Sequence, residues 1–254
     1  MNIRILGTGY GECKIKNKIS KDFRKRGGVI IDDRILIDAP EDVIEAADEL
    51  GFSDIFKSVS VVLISHSHKG HFSPEVIAKL SKKRKLRVLA SRSVLLKIPT
   101  SENIELIEIA PYMQFTIGDY NVAVLPSNHK TDDYKEECFN FLFTGARNFF
   151  YALDGGWINE RAWRILKHIS LDAIITDAAL ETAEPSEENL YHNDIDTLKR
   201  IKSLFSAHGV VTEKTKFILS HLPSDKRRAV HDELTPIAEE CGMILAYDGY
   251  FTRI

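Results

Sequence analysis

Apolar positions along this chain fall into many short runs, some alternating with polar residues and some unbroken, each bounded by turn-forming residues. Residues 2–6, 28–32, 34–38 and 60–64 are rich in β-branched side chains and predict strands. A helix is expected over 39–51, with Glu41 and Asp42 in its first turn and Gly51 past its end. A second, over 73–85, opens with Ser73 as N-cap, Pro74 and Glu75, and ends in basic residues. From 86 to 153 the pattern is mostly β, over 86–91, 104–109, 114–117, 120–127, 139–144 and 148–154. Clean alternation in several of these fits antiparallel strands with one covered face. Helices near 157–169, 194–207 and 224–241 then alternate with strands at 172–177 and 216–220. A last pair of strands, 243–247 and 250–254, folds about Asp248 and Gly249.

A β-rich half followed by an alternating half predicts the α/β class, with two mixed sheets packed together and helices outside. No linker, repeat or low-complexity stretch interrupts the chain, so one domain over 1–254 is expected. With 44% apolar and 28% charged residues, 254 positions can supply a sizeable core. No apolar run approaches the roughly 18–20 residues of a membrane span, and the first residues do not resemble a signal peptide. No membrane partner is expected. Cys13, Cys138 and Cys241 are far apart and not in CxxC spacing, which fits a reducing cytoplasm. A formal net charge of −3 argues against a generally basic nucleic-acid binder.

The chemistry concentrates in "VVLISHSHKGHFSPEV". His66 and His68 project to one side if the chain is extended there, and His71 follows just before a helix N-cap. Three imidazoles at the end of a strand suit Zn²⁺, which takes nitrogen and oxygen ligands and keeps a position open in catalytic sites. Asp38 and Asp177 close strands, positions from which a carboxylate can support a ligand histidine.

"HSHKGH" after an apolar strand resembles the HxHxDH signature of the metallo-β-lactamase-fold hydrolases. The resemblance runs from "LGTGYGE" to "AYDGYFTRI" and is closest to the phosphoribosyl cyclic phosphate phosphodiesterase branch. It implies a four-layer αββα sandwich and a metal centre of His66, His68, His71, His129 in "VLPSNHK", Asp154 in "YALDGG" and His221 in "ILSHL". His66, His68 and His129 would hold one metal, His71 and His221 the second, with Asp154 between them. Asp154 and His192, in "LYHNDI", are the implied catalytic residues, His192 acting near the leaving group. The implied cofactor is Zn²⁺, one or two ions, with Mn²⁺ or Fe as alternatives. The implied substrate is a small phosphate-containing molecule, a cyclic phosphodiester above all, attacked by metal hydroxide. A lactonase or thioesterase of the same fold and a non-catalytic metal-binding member are the competing readings, and a homodimer is left open.

Three departures qualify the resemblance. Gly70 stands where the signature has aspartate, which weakens the second metal site. Only Cys13 is left of a cysteine-rich segment that binds a structural zinc in the relative, so no such zinc is expected. The segment 14–26 instead carries seven basic residues, among them Lys14, Arg24, Lys25 and Arg26, against Asp22. Such a loop is either a mobile attractor for phosphate or an ordinary solvated surface. "GTGYGE" has no helical pattern after it and so lacks the form of a dinucleotide loop. His168, His208 and His231 have no partners in the pattern and read as structural or surface residues.

Overall fold

The computed structural model describes every residue except 16, 83 and 225–229. Its strands are β1 (Asn2–Ile5), β2 (Val29–Ile31), β3 (Ile35–Ile37), β4 (Val61–Leu63), β5 (Leu86–Ala90), β6 (Ile104–Glu108), β7 (Gln114–Ile117), β8 (Tyr120–Pro126), β9 (Phe139–Thr144), β10 (Phe149–Ala152), β11 (Ala173–Asp177), β12 (Lys216–Ser220), β13 (Ile244–Leu245) and β14 (Phe251–Arg253). The helices are α1 (Val43–Glu49), α2 (Pro74–Ser81), α3 (Arg92–Leu95), α4 (Glu160–Leu166), α5 (Ile195–Ala207) and α6 (His231–Glu240).

The strands form two seven-stranded mixed sheets, ordered β14-β1-β2-β3-β4-β5-β6 and β13-β12-β11-β10-β9-β8-β7. Successive side chains on a strand point to opposite faces, and both faces here are covered. Ile35 and Ile37 of β3 pack between the sheets with Phe139, Phe141 and Tyr151, whereas Leu36 packs with Val43, Ala47 and Ile77 under α1 and α2. The second sheet repeats the arrangement, with Phe150, Ile174 and Leu219 turned toward Leu198 and Phe205 of α5 and Leu234 of α6. The result is the expected αββα sandwich. Among the described residues, no helix is long and apolar enough to cross a membrane.

The differences from expectation are local. Helix α1 starts at Val43 rather than 39, because Ala39 is drawn into a bridge with Phe72: its N–H donates to the His71 carbonyl at 2.7 Å and its carbonyl accepts from Ser73 at 2.9 Å. Helix α4 begins at Glu160, capped by the Asn159 side chain. Part of the helix expected over 224–241 lies outside the described residues, and α6 is described from His231. Strands β3 to β6 run parallel, as do β10 to β13, so the carboxyl ends of β3, β4, β10, β11 and β12 gather their loops along the sandwich's edges.

Candidate metal centre

Five strand ends deliver the chemistry-bearing side chains. The loop after β4 carries His66, His68 and His71; the loop after β8 carries His129; Asp154 follows β10, Asp177 ends β11 and His221 follows β12. Asp154 and His221 take left-handed φ values of 53° and 59°, as does Asp38 after β3 at 61°. Non-glycine residues seldom adopt this region, and three of them at one edge of the sandwich, one from the first sheet and two from the second, mark a place where the fold holds side chains against local preference.

His66 Nε2, His68 Nδ1 and His129 Nε2 converge, with His68 Nδ1 3.1 Å from each of the other two. Asp154 Oδ2 lies 3.3 Å from His66 Nε2 and 3.5 Å from His129 Nε2. Four donors at about 2.0–2.1 Å from a tetrahedral Zn²⁺ would lie about 3.3 Å apart, so this group fits one cation. A second group shares the same carboxylate: His71 Nε2 is 3.1 Å from Asp154 Oδ2, and His221 Nε2 is 2.8 Å from Oδ1. His71 Nε2 and Asp154 Oδ1 are buried without a hydrogen bond. Orphaned buried donors and acceptors are rare, and a cation would satisfy both.

Residues 33–221 match the profile described as a beta-lactamase superfamily domain. The chain belongs to the beta-lactamase superfamily. No curated protein sequence matches it. Among solved structures it is similar to the metallo-beta-lactamase fold protein YhfI from Bacillus subtilis, at 18% identity and a TM-score of 0.73 over 99% of this chain and 98% of that one. It is similar to Zn(2+)-bound PqqB from Methylobacterium extorquens at 13% identity and 0.74, over the full length of both. A third similar structure is a diphosphatase from the PhnP family, at 17% identity and 0.72, over 100% of this chain and 97% of that one.

As in any metal-competent superfamily site, the donors here need partners that orient them. Asp38 supports His71, accepting from its Nδ1 at 2.7 Å, and it also accepts from Ser65 N–H, Ser65 Oγ and, at 2.6 Å, the Tyr151 hydroxyl. His129 Nδ1 faces the Tyr191 carbonyl at 3.2 Å, which turns its Nε2 inward. Ser127 Oγ donates to the Asp154 carbonyl. Asp177 is saturated by backbone N–H groups of Gly155, Ala179 and Asn193, and its Oδ1 lies 3.7 Å from His192 Nδ1. Asp38 thus supports a histidine of the second donor group, whereas Asp177 faces His192, outside the implied ligand set.

Glu136 was invisible in the sequence, as one of many charges in "DDYKEEC". Its side chain is fully buried, and it accepts from Ser67 N–H and Ser67 Oγ, each at 2.6 Å, between the ligand-competent His66 and His68. It also accepts from Thr131 Oγ1 at 3.4 Å, two residues beyond His129. One carboxylate thus ties the histidine loop of the first sheet to that of the second.

The two groups differ electrically. Burial, aided by neighbouring imidazoles, pushes His66 well below its ordinary value. Burial likewise lowers His68, and takes His129 down to about 4. All three are neutral and ready to ligate. For His71, burial is outweighed by Asp154 and Asp38, which raise it to about 10. Burial would raise Asp154, but His221 and His71 hold it well below the usual carboxylate range. His192 is also raised against burial, to about 9, by Asp177 and then Asp154.

His192 stacks against His221 at 6.0 Å between ring centroids and borders a cavity of about 330 Å³ lined also by Tyr10, Glu12, Lys14, Leu180 and Glu188. Tyr10 stands edge-on to both His192 and His221. Every site residue named from the sequence is therefore at this edge, and among the described residues His168, His208 and His231 belong to none of the donor groups.

The basic segment resolves toward the ordinary alternative. Lys18 pairs with Glu49, Lys25 with Glu45 at 2.8 Å, and Arg26 with Asp42 at 2.9 Å, so these charges are spent on α1 and its flank. Arg24 is buried and donates to the Pro223 carbonyl at 2.7 Å. Lys14 alone among its described basic residues lines the cavity beside His192. Two of the three glycines of "GTGYGE" lie tight against this segment: a Cβ on Gly7 would meet the Lys25 carbonyl oxygen at 2.3 Å, and one on Gly9 that of Arg24 at the same distance.

Proposed function

We propose that the chain is a metal-dependent phosphodiesterase acting on a small phosphodiester, cyclic ones included. The observation that carries this reading is the pairing of two donor groups on one carboxylate, Asp154, with a charged imidazole, His192, beside them. His66, His68, His129 and Asp154 would hold one divalent ion, and His71, His221 and Asp154 the second. Zn²⁺ is the first choice from these nitrogen and oxygen donors, with Mn²⁺ or Fe as alternatives. When bound, two such ions supply Lewis acidity and lower the pKa of a bound water toward neutrality.

The protein's own groups account for the rest. His192, raised against burial by Asp177, would deliver a proton to the departing ester oxygen. Asp177 Oδ1, 3.7 Å from its Nδ1, favours the charged ring electrostatically. The cavity bordered by His192, Tyr10 and Leu180 has room for the leaving group, with Lys14 as a cationic contact for a phosphoryl oxygen. Gly70 removes one oxygen donor from the second group, so its ion is held more weakly. That a similar fold carries a diphosphatase of the PhnP family supports a phosphoryl substrate over a lactone or thioester.

Turnover of bis(p-nitrophenyl) phosphate by metal-replete protein, and its loss in His68→Ala, is the expected result. Full metal content with no such turnover, or preferential hydrolysis of a lactone, would sink the reading.

A further inference from the structure

Gly70 lies in the turn between His68 and His71, and its φ is outside the left-handed region. A Cβ built there would meet only the Tyr10 carbonyl oxygen at 3.5 Å and His221 Cε1 at 3.9 Å, both ordinary contact distances. Two other glycines at this edge are different. A Cβ on Gly155 would press on Ser127 Oγ at 2.7 Å, and one on Gly156 on the Asn189 carbonyl oxygen at 2.4 Å. Crowding explains those two, and it does not explain Gly70. What glycine does at this position is leave open the flank of the second donor group that faces His221.

That flank has a definite chemistry. His71, His221 and Asp154 bring one formal negative charge, and Asp154 shares it with the first group. A divalent ion there would keep unbalanced positive charge. An anionic oxygen is the complementary donor. The opening also lies under Tyr10, a wall of the cavity that reaches His192, so an anion seated here continues into space for the rest of its molecule.

We propose that the opening left by Gly70 is a seat for a phosphoryl oxygen of the substrate, which takes the place of a protein carboxylate as donor to the second ion. The inference rests on the phosphodiester reading above. Its consequence is thermodynamic: the second ion and the phosphoryl group bind cooperatively, each raising the affinity of the other by the same factor.

The test is equilibrium dialysis of the full-length, metal-stripped chain against Mn²⁺, with and without methylphosphonate. In the natural chain the second ion binds weakly alone, and methylphosphonate raises its affinity about tenfold or more. In Gly70→Asp the second ion binds well without the probe, and the enhancement falls to near onefold. Gly70→Ala fills the same space without a donor, so it keeps the weak site and loses most of the enhancement. A second ion indifferent to methylphosphonate in the natural chain overturns the proposal, as does an undiminished enhancement in Gly70→Asp. Equal enhancement by formate also overturns it, because the seat would then take any small anion. Aryl phosphodiester turnover on the same samples separates the two ideas. Turnover without coupling removes only the seat, and coupling without turnover removes only the hydrolase.

Discussion

Around Asp154, the group of His66, His68 and His129 differs from that of His71 and His221 in donor number, support and charge. The first has three imidazoles held neutral by burial, with their loops joined through Glu136. The second has two imidazoles, one of which, His71, is held protonated by Asp154 and Asp38, and it has glycine on its open flank. Burial dominates in the first group and favours neutral imidazoles, whereas at His71 two carboxylates outweigh burial and favour the charged ring, which competes with a cation. Binuclear centres are often discussed as a unit. Here the same loop builds both halves, and its six-residue motif makes them unequal.

The comparison is broken most completely at its shared member. Asp154→Asn should cost about 10³-fold or more in phosphodiester turnover and remove both ions, since one carboxylate serves both groups; retention of either ion at full occupancy would show that the groups do not share it. Glu136 sharpens the contrast because it belongs to one side only. Glu136→Ala should weaken the tighter ion by about 10–100-fold, the usual cost of losing a supporting partner, and leave the weaker ion unchanged. Glu136→Gln, which keeps an acceptor for the Ser67 N–H, should recover part of that loss. An equal effect on both ions in dialysis would mean that Glu136 stabilises the edge as a whole.

Much of this centre was legible in the sequence because ligand histidines carry a spacing signal and strand ends carry a pattern. The structure brings His66, His68, His71, His129, Asp154, His192 and His221 together at one edge of the sandwich. Asp38 and Asp177 were also legible, since a carboxylate closing an apolar strand stands out. Glu136 and Tyr151 were not. Glu136 looks like any charge in a polar loop, and only the approach of two sheets buries it. Tyr151 reads as one more apolar strand position, yet its hydroxyl crosses to Asp38 on the other sheet. The basic segment stayed open between two readings for a related reason. Its partners, Glu45, Glu49 and Asp42, lie on and beside a helix that sequence distance does not bring near. Local pattern encodes ligands and strands; pairing across layers is a property of the fold.

A smaller effect concerns the proton. Against burial, Asp177 and then Asp154 raise His192, so turnover that needs its proton should hold at low pH and fall as the ring loses it, with ions bound at Asp154 drawing that limb down. Asp177→Asn should move this descending limb to lower pH, because the carboxylate is the first charge that opposes burial there. His192→Gln should cost about 10²-fold with an alkyl leaving group and much less with p-nitrophenolate, which departs without a proton. An alkaline limb unmoved in Asp177→Asn would take His192 out of the acid role. Smallest of all, Tyr151→Phe removes one of four contacts to Asp38 and should lower stability by about 1 kcal/mol with metal content intact. Loss of the weaker ion in this variant, read by dialysis, would show that the hydroxyl tunes His71 through Asp38.

Unequal halves of one centre are tested most directly by calorimetric titration of Zn²⁺ or Mn²⁺ into the metal-free natural chain and into Gly70→Asp. Two binding steps of clearly different affinity in the natural chain, drawn together in Gly70→Asp by a gain in the weaker step alone, are the predicted result. A single class of two equivalent sites in the natural chain, or a weaker step that Gly70→Asp leaves unchanged, would contradict it.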